Sequence, residues 1–339
     1  MNRPVREFFS SSYPGMLFES SLPREAEELG PENIIRLAEL AGIVDERDGE
    51  PLYRKLRQAA EQKVQIIVAD AIDDEPYVSS QLGPMLKCSE EAAAGLRLAV
   101  KAAGAQKPYF AVYKNITDLM NKIPRTLEGI TVKRIRGRYP AEFRTTDDFE
   151  RGTSLAVLGV CSLIHLCRAV RDHRIQSTCF VTVAGNCVAN PMNLEASAGM
   201  TVAQLLERCG LADDPGRVIL GGPMTGVACR DTEATVISAG TRAVLAFRED
   251  TKDRRYQCIG CGKCVECCPE NLTPFYINKY IEKGRMEMLD FYEIDRCISC
   301  GTCSYVCPAK LDIADNIKAA KAARRKNTTG GAGRCKIKS

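Results

Sequence analysis

The 339-residue chain has no tryptophan, two histidines and only 6% aromatic residues. His165 and His173 are its only imidazoles, no Ser/His/Asp or Cys/His constellation is evident, and hydrolase chemistry finds no footing. Charge of one sign is also lacking. Lys and Arg number 47 against 43 Asp and Glu, a formal net charge of +4, so bulk charge gives no reason to expect a nucleic-acid partner. No apolar run is long enough for a membrane. The most apolar stretch, residues 154–170, contains His165, Arg168 and two cysteines and falls short of the ~20 apolar residues a span needs, so a buried helix is expected there. Met1-Asn2-Arg3-Pro4 leads into no apolar segment of the kind a secretory signal has. Hydrophobic residues at 45% and charged residues at 27% are those of a soluble globular protein.

Cysteine is what the chain has in excess, with 17 in all. Eight fall in two matching runs, Cys258-x2-Cys261-x2-Cys264-x3-Cys268-Pro269 and Cys297-x2-Cys300-x2-Cys303-x3-Cys307-Pro308. This is the bacterial ferredoxin spacing, repeated once, and it predicts two [4Fe–4S] clusters. Three thiolates at intervals of three residues line one loop, and the fourth, ahead of proline, ligates the other cluster. Cys258, Cys261, Cys264 and Cys307 are therefore expected to hold one cluster, and Cys297, Cys300, Cys303 and Cys268 the other. A zinc site or a disulfide knot is the plain alternative. Structural zinc uses paired Cys-x2-Cys or Cys/His ligands, four per ion, which a third cysteine in each run and the Cys-Pro pairs fit poorly. Cys267 reads as a bystander. Cys88, Cys161, Cys167, Cys179, Cys187, Cys209, Cys229, Cys267 and Cys335 are scattered and odd in number, which suits a reducing, cytoplasmic and often anaerobic setting rather than a secreted one. Two loaded clusters add about −4 of charge and bring the protein near neutrality.

The patterning divides the rest. Residues 1–30 are polar and read as an N-terminal arm. Residues 31–176 alternate helix and strand: a helix opening at Pro31 and capped by Gly42, a buried strand over 64–69, an Ala-rich helix after Ser89, a strand over 108–113, a helix over 116–122 and a strand over 130–135. That pattern predicts an α/β domain with a mainly parallel sheet. Residues 177–250 read as a small α+β module, with strands over 178–185 and 218–220, a helix over 201–209 and a turn at Gly221-Gly222-Pro223. That turn is consistent equally with a tight reversal and with a ligand-facing loop. Residues 251–326 are the cluster domain, with helices expected over 275–290 and 313–325, and 327–339 a basic tail.

The order of these parts, with Tyr139-Pro140, Gly221-Gly222-Pro223-Met224-Thr225-Gly226 and the closing cysteine repeat, resembles the RnfC-like family: the C subunit of the Rnf electron-transport complex and relatives serving cobalamin reduction, proline reductases and methylenetetrahydrofolate reductases. The resemblance spans about residues 30–325. It implies a Rossmann-like α/β domain of the complex I flavin-subunit type, a β-grasp (SLBB) module and a two-cluster ferredoxin-like helical domain; the family's usual N-terminal lipoyl-like sandwich has no counterpart here. In active relatives a glycine-rich loop cradles the FMN and NADH phosphates. Here that stretch is Ala41-Gly42-Ile43-Val44-Asp45-Glu46-Arg47-Asp48-Gly49-Glu50-Pro51, with most glycines replaced and carboxylates in their place. Three further flavin-contacting stretches depart as well. Asp70 and Asp73 replace the family's Asn and first Glu ahead of Glu75-Pro76-Tyr77, Tyr139-Pro140-Ala141-Glu142 lacks a Gly-Gly pair, and the Asn-Val-Gly-Thr helix start reads Gly159-Val160-Cys161-Ser162.

The resemblance and the cysteine repeat together predict an iron–sulfur electron-transfer subunit that relays electrons between redox partners of a multi-subunit complex, with FMN and NADH not expected. The alternative is an FMN-dependent NADH:acceptor oxidoreductase; a third reading is a scaffold with vestigial clusters. A flavoprotein or reductase partner, a hetero-oligomer and peripheral association with a membrane complex are implied. Gly260, Gly262 and Gly301 would let the loops wrap each cube, and Ile259, Val265, Ile298 and Val306 would shield it. His165 is expected as a satisfied core residue, Asp73-Asp74-Glu75 as a solvated turn with one structural carboxylate rather than a metal site, and the Asn115-Ile116-Thr117 sequon as without meaning.

Overall fold

The computed structural model describes residues 8–10, 16–23, 25, 27–114, 123–142, 145, 149, 152–212, 214–248 and 255–330. Two compact units are present, Met1–Glu249 and Asp250–Ser339.

The first unit holds two sheets. Its elements in order are β1 (Phe8–Ser10), α1 (Pro31–Leu40), α2 (Leu52–Glu61), β2 (Ile66–Asp70), α3 (Leu82–Lys87), α4 (Ser89–Ala103), β3 (Lys107–Tyr113), β4 (Thr126–Leu127), β5 (Ile130–Ile135), β6 (Leu155–Gly159), α5 (Val160–Asp172), β7 (Thr178–Ala184), β8 (Met192–Ser197), α6 (Val202–Arg208), β9 (Arg217–Leu220), β10 (Val227–Cys229) and β11 (Ala243–Phe247). The five-stranded sheet runs β4-β5-β3-β2-β6, parallel except for the β4–β5 edge. β2 is central and wholly buried. Its pleat sends Ile67 and Ala69 into the core that α1, α4 and α5 share, and Ile66 and Val68 to a second core with Ala111, Ile135 and Phe149. Each aliphatic side chain so buried contributes ~1.5–3 kcal/mol. Gly95 brings α4 onto α5: a Cβ there would lie 1.9 Å from the Leu163 carbonyl oxygen.

The six-stranded sheet runs β1-β8-β7-β11-β9-β10. β7 and β8 form an antiparallel hairpin, β11 inserts parallel to β7 and antiparallel to β9, and α6 covers the core with Val202, Leu205 and Leu206. The start of α6 is set by a capping box, the Thr201 hydroxyl accepting from the Gln204 N–H while the Gln204 side chain accepts from the Thr201 N–H. Here the arm expected over 1–30 contributes a strand, β1, paired in parallel with β8.

The second unit is helical: α7 (Lys263–Glu266), α8 (Pro274–Glu282), α9 (Thr302–Tyr305) and α10 (Ile313–Gly330). Its core joins Leu272, Ile277, Leu289 and Ile294 to Ile313 and Ile317 of α10.

Several elements differ from the pattern reading. The buried helix expected over 154–170 is a strand followed by a helix, β6 then α5. Apolar character records burial, and a buried parallel strand and a buried helix are equally apolar. The helix expected over 275–290 stops at Glu282, where Gly284 at φ +66° breaks it. α10 runs through residues 327–330, where the tail is expected to open. The helix expected over 116–122 and the tail beyond Gly330 lie outside the described residues.

Candidate iron–sulfur centres and a filled anion cradle

The two cysteine runs fold as one motif used twice. Gly262 at φ +77° precedes α7, and Gly301 at φ +80° precedes α9. The correspondence extends beyond the cysteines, for Gly260 and Ser299 are both left-handed, at φ +68° and +57°, as are Asn271 and Lys310, at +53° and +54°. In each run the left-handed residue turns its N–H onto the first cysteine: Gly260 N–H donates to Cys258 Sγ at 3.5 Å and Ser299 N–H to Cys297 Sγ at 3.4 Å. An N–H aimed at sulfur favours the thiolate, the form that binds iron.

The eight thiols divide between two cavities, and the division crosses the runs. Cys258, Cys261 and Cys264 line one cavity with Cys307 of the second run. Cys297, Cys300 and Cys303 line the other with Cys268 of the first. The electrostatics repeat the partition. The Cys264 thiol is pushed up by burial, with Cys258 and Cys307 adding to the rise. Burial also raises Cys297, with Cys300 and Cys268 adding, while the Ser299 N–H and Lys321 oppose. Burial pushes Cys303 up to about 12. Iron binding would displace these protons. Among the described residues no three His, Cys, Asp or Glu side chains converge on a single ion site. Three closely spaced thiols of one run with the fourth cysteine of the other, at each cavity, are the ligand set of a thiolate-bound cube. Cys267 lines neither cavity; its thiol donates to the Cys264 carbonyl at 3.5 Å.

The shielding expected of Ile259 and Val265 is not found. They are 70% and 37% exposed, whereas Ile298 and Val306 are half-buried. Each quartet has one buried cysteine, Cys307 in the first and Cys300 in the second, but only the first has exposed ones, Cys258 and Cys261, so the first cavity reaches solvent through them.

In the first unit the acidic loop turns inward. Glu46 lays its carboxylate on the N-terminus of α5, accepting from the Cys161 N–H at 2.8 Å and the Ser162 N–H at 3.0 Å. Gly159 makes the room, since a Cβ there would come within 2.3 Å of that carboxyl group. Asp45, fully buried, accepts from the Gly159 N–H at 3.1 Å and pairs with Lys55. Burial, with the Asp45 charge beside it, pushes Glu46 up to about 8. Arg47 meets Asp70 at 2.7 Å and Glu142 at 3.6 Å, and Arg242 meets Glu142 at 2.8 Å. The carboxylates expected to confront a phosphate thus already occupy the backbone donors of the cradle.

Asp73, Asp74 and Glu75 are not a solvated turn. Asp73 accepts from the Leu82 N–H at 2.8 Å at the start of α3, Asp74 from the Glu142 N–H at 3.1 Å, and Glu75 from the Met224 N–H at 2.8 Å. All three are structural, and Glu75 packs against Gly222 in a turn that lines a cavity of about 310 Å³ with Glu46, Arg47 and Arg242. His165 is in the core against Phe180, but its Nε2 has no hydrogen-bond partner, and burial lowers it to about 3. No helix among the described residues is long and apolar enough to cross a membrane.

Comparison with known proteins finds two of these parts by sequence. Residues 180–228 match the SLBB domain and residues 257–311 the 4Fe-4S dicluster domain. The chain is 30% identical over 292 residues to the C subunit of the ion-translocating oxidoreductase complex of Rhodobacter capsulatus, covering 78% of this chain and 55% of that one. It is 29% identical over 314 residues to the C subunit of the Na(+)-translocating ferredoxin:NAD(+) oxidoreductase complex of Acetobacterium woodii, covering 87% and 71%. The chain thus spans about half the length of the first of these relatives. In fold it is similar to a chain of an NAD+-reducing [NiFe]-hydrogenase, with a TM-score of 0.58 at 14% identity over 91% of this chain and 65% of that one.

Proposed function

We infer that this chain, a relative of the C subunits of ion-translocating oxidoreductase complexes, is an iron–sulfur electron-transfer subunit that passes electrons one at a time between protein partners of a multi-subunit complex. The observation that carries this reading is the crossed division of eight thiols between two cavities of one helical unit. Cys258, Cys261, Cys264 and Cys307 would hold one [4Fe–4S] cluster, and Cys268, Cys297, Cys300 and Cys303 the other. The clusters supply reversible one-electron chemistry. The chain's own residues do the rest. Gly260 and Ser299 donate N–H bonds to ligand sulfur, and Lys321, bonded to the Cys297 carbonyl, sets a positive charge beside the second quartet. Both raise the ease of reduction. α8 and α10 close around the more buried quartet and exclude water from it.

The α/β domain does not fit a flavin or nicotinamide phosphate. Glu46 occupies the Cys161 and Ser162 N–H groups at the start of α5 and Asp45 the Gly159 N–H, so an anion there would find those donors already taken. FMN and NADH are accordingly not cofactors of this chain in this reading, and the domain serves as a docking scaffold in a reducing, cytoplasmic setting.

Oxygen-free reconstitution tests both parts. About eight iron and eight sulfide per chain are expected, with one broad absorbance shoulder that bleaches on reduction. Well under eight of each overturns the two-cluster assignment. Stoichiometric FMN in the same sample overturns the loss of the flavin site.

A further inference from the structure

Resting on the electron-transfer reading, we propose that the face around Cys258 and Cys261 is the electron port, and that it docks an acidic electron-carrier protein. Three observations converge. The first quartet has two exposed cysteines, Cys258 and Cys261, beside the buried Cys307, whereas no cysteine of the second is exposed. Large apolar side chains surround that opening without cover: Ile259 is 70% exposed, Tyr256 61% and Tyr276 43%. Tyr276 begins an aromatic strip that leads away from the cavity, stacked on Tyr292 at 5.6 Å, which in turn meets the exposed Phe291 at 5.1 Å. Exposed aromatics in a contiguous patch beside a functional cavity are the mark of a protein interface.

Charge selects the occupant. Lys263, Lys279 and Lys283 line the same cavity, and among the described residues Glu282 is the only acid on that wall. Glu282 is engaged by the Asn278 amide at 2.7 Å. An apolar centre rimmed by lysines attracts a partner whose redox centre is rimmed by carboxylates, and steers it to the correct face. One electron passes from the reduced carrier to the oxidised first cluster. The carrier is oxidised by one electron, the cluster is reduced by one, and no bond is made or broken.

Reduced flavodoxin, an acidic carrier, is a suitable probe for the loaded full chain. Its association with the chain weakens at least about tenfold between low and near-physiological salt. The triple variant Lys263→Glu/Lys279→Glu/Lys283→Glu loses a similar factor at low salt while keeping its iron content. Carbodiimide coupling joins flavodoxin carboxylates to these three lysines. Salt-independent association, or coupling only to lysines elsewhere, overturns the proposal. If the lysines serve only to balance thiolate charge, the triple variant shifts the reduction potential and leaves flavodoxin affinity untouched, which also overturns it. Failure of the clusters to assemble at all defeats the electron-transfer reading instead, and iron analysis of the same sample separates the two.

Discussion

The two units handle negative charge in opposite ways. In the cluster unit, eight sulfur donors surround cavities and few side chains intrude on them. In the α/β domain, backbone donors at the start of α5, in a stretch that resemblance assigns to flavin contact, are taken by the chain's own Glu46. The first arrangement presents unclaimed sulfur donors to a cofactor. The second satisfies its donors internally, so a ligand would have to displace Glu46 and leave buried hydrogen-bonding groups to be satisfied again. A shared fold does not by itself carry an activity; the residues of the site do.

The largest effect that would sharpen this contrast is expected at the thiols. Cys300→Ser should halve the iron content, from about eight to about four per chain, and abolish relay through the chain while leaving the first unit folded. Unchanged iron would break the assignment of the second quartet. Next comes Gly95→Ala, a control on the first unit. Its Cβ meets the Leu163 carbonyl at 1.9 Å, so a loss of about 1–3 kcal/mol or more is expected in chemical denaturation, without change in iron. Smaller is Glu46→Ala, which strands the Cys161 and Ser162 N–H groups and should cost about 1–3 kcal/mol. If it instead raises stability in the presence of phosphate, the cradle is latent rather than lost.

The same carboxylate makes a pH prediction. Glu46 is raised from an ordinary value of 4.5 to about 8 in the folded chain, so the native state holds its proton more tightly than the unfolded state does. Its contribution to stability is fully present below about pH 4.5 and is lost as pH rises to about 8, with a slope of at most ~1.4 kcal/mol per pH unit. Glu46→Gln should flatten that part of the profile, and an unaltered slope would assign the titration to other buried acids. Smallest of all is Ile259→Ser, which should change stability by no more than ~0.5 kcal/mol because the side chain is 70% exposed. A large loss would mean that Ile259 shields the cluster after all.

Much of the cluster unit is legible in residue order. Ligands three residues apart on one loop share a neighbourhood, and the duplicated two-cluster spacing, with its fourth cysteine ahead of proline, carries the crossed pairing. The left-handed pairs Gly260/Ser299 and Asn271/Lys310 are not legible, because a serine or lysine at positive φ carries no signal in its type. The α/β alternation is also visible in the pattern, but β6 and α5 merge into one apolar run, and α2 hides in a polar stretch. By its type and loop, Glu46 reads as an anion facing a ligand. Its actual partners, Cys161 and Ser162, lie 115 and 116 residues away, beyond the reach of any local pattern. Asp73 and Asp74 mislead for the same reason, since their donors come from α3 and from the segment at Glu142.

Short-range spacing settled by itself which three thiols of each run share a loop and where strand and helix alternate, because both depend on bond lengths and on the period of the backbone. Which way the acidic loop turns, and which quartet meets solvent, were decided only when distant segments packed together. A carboxylate goes where unpaired N–H groups wait for it, and those groups belong to a helix that the loop meets only in the folded chain.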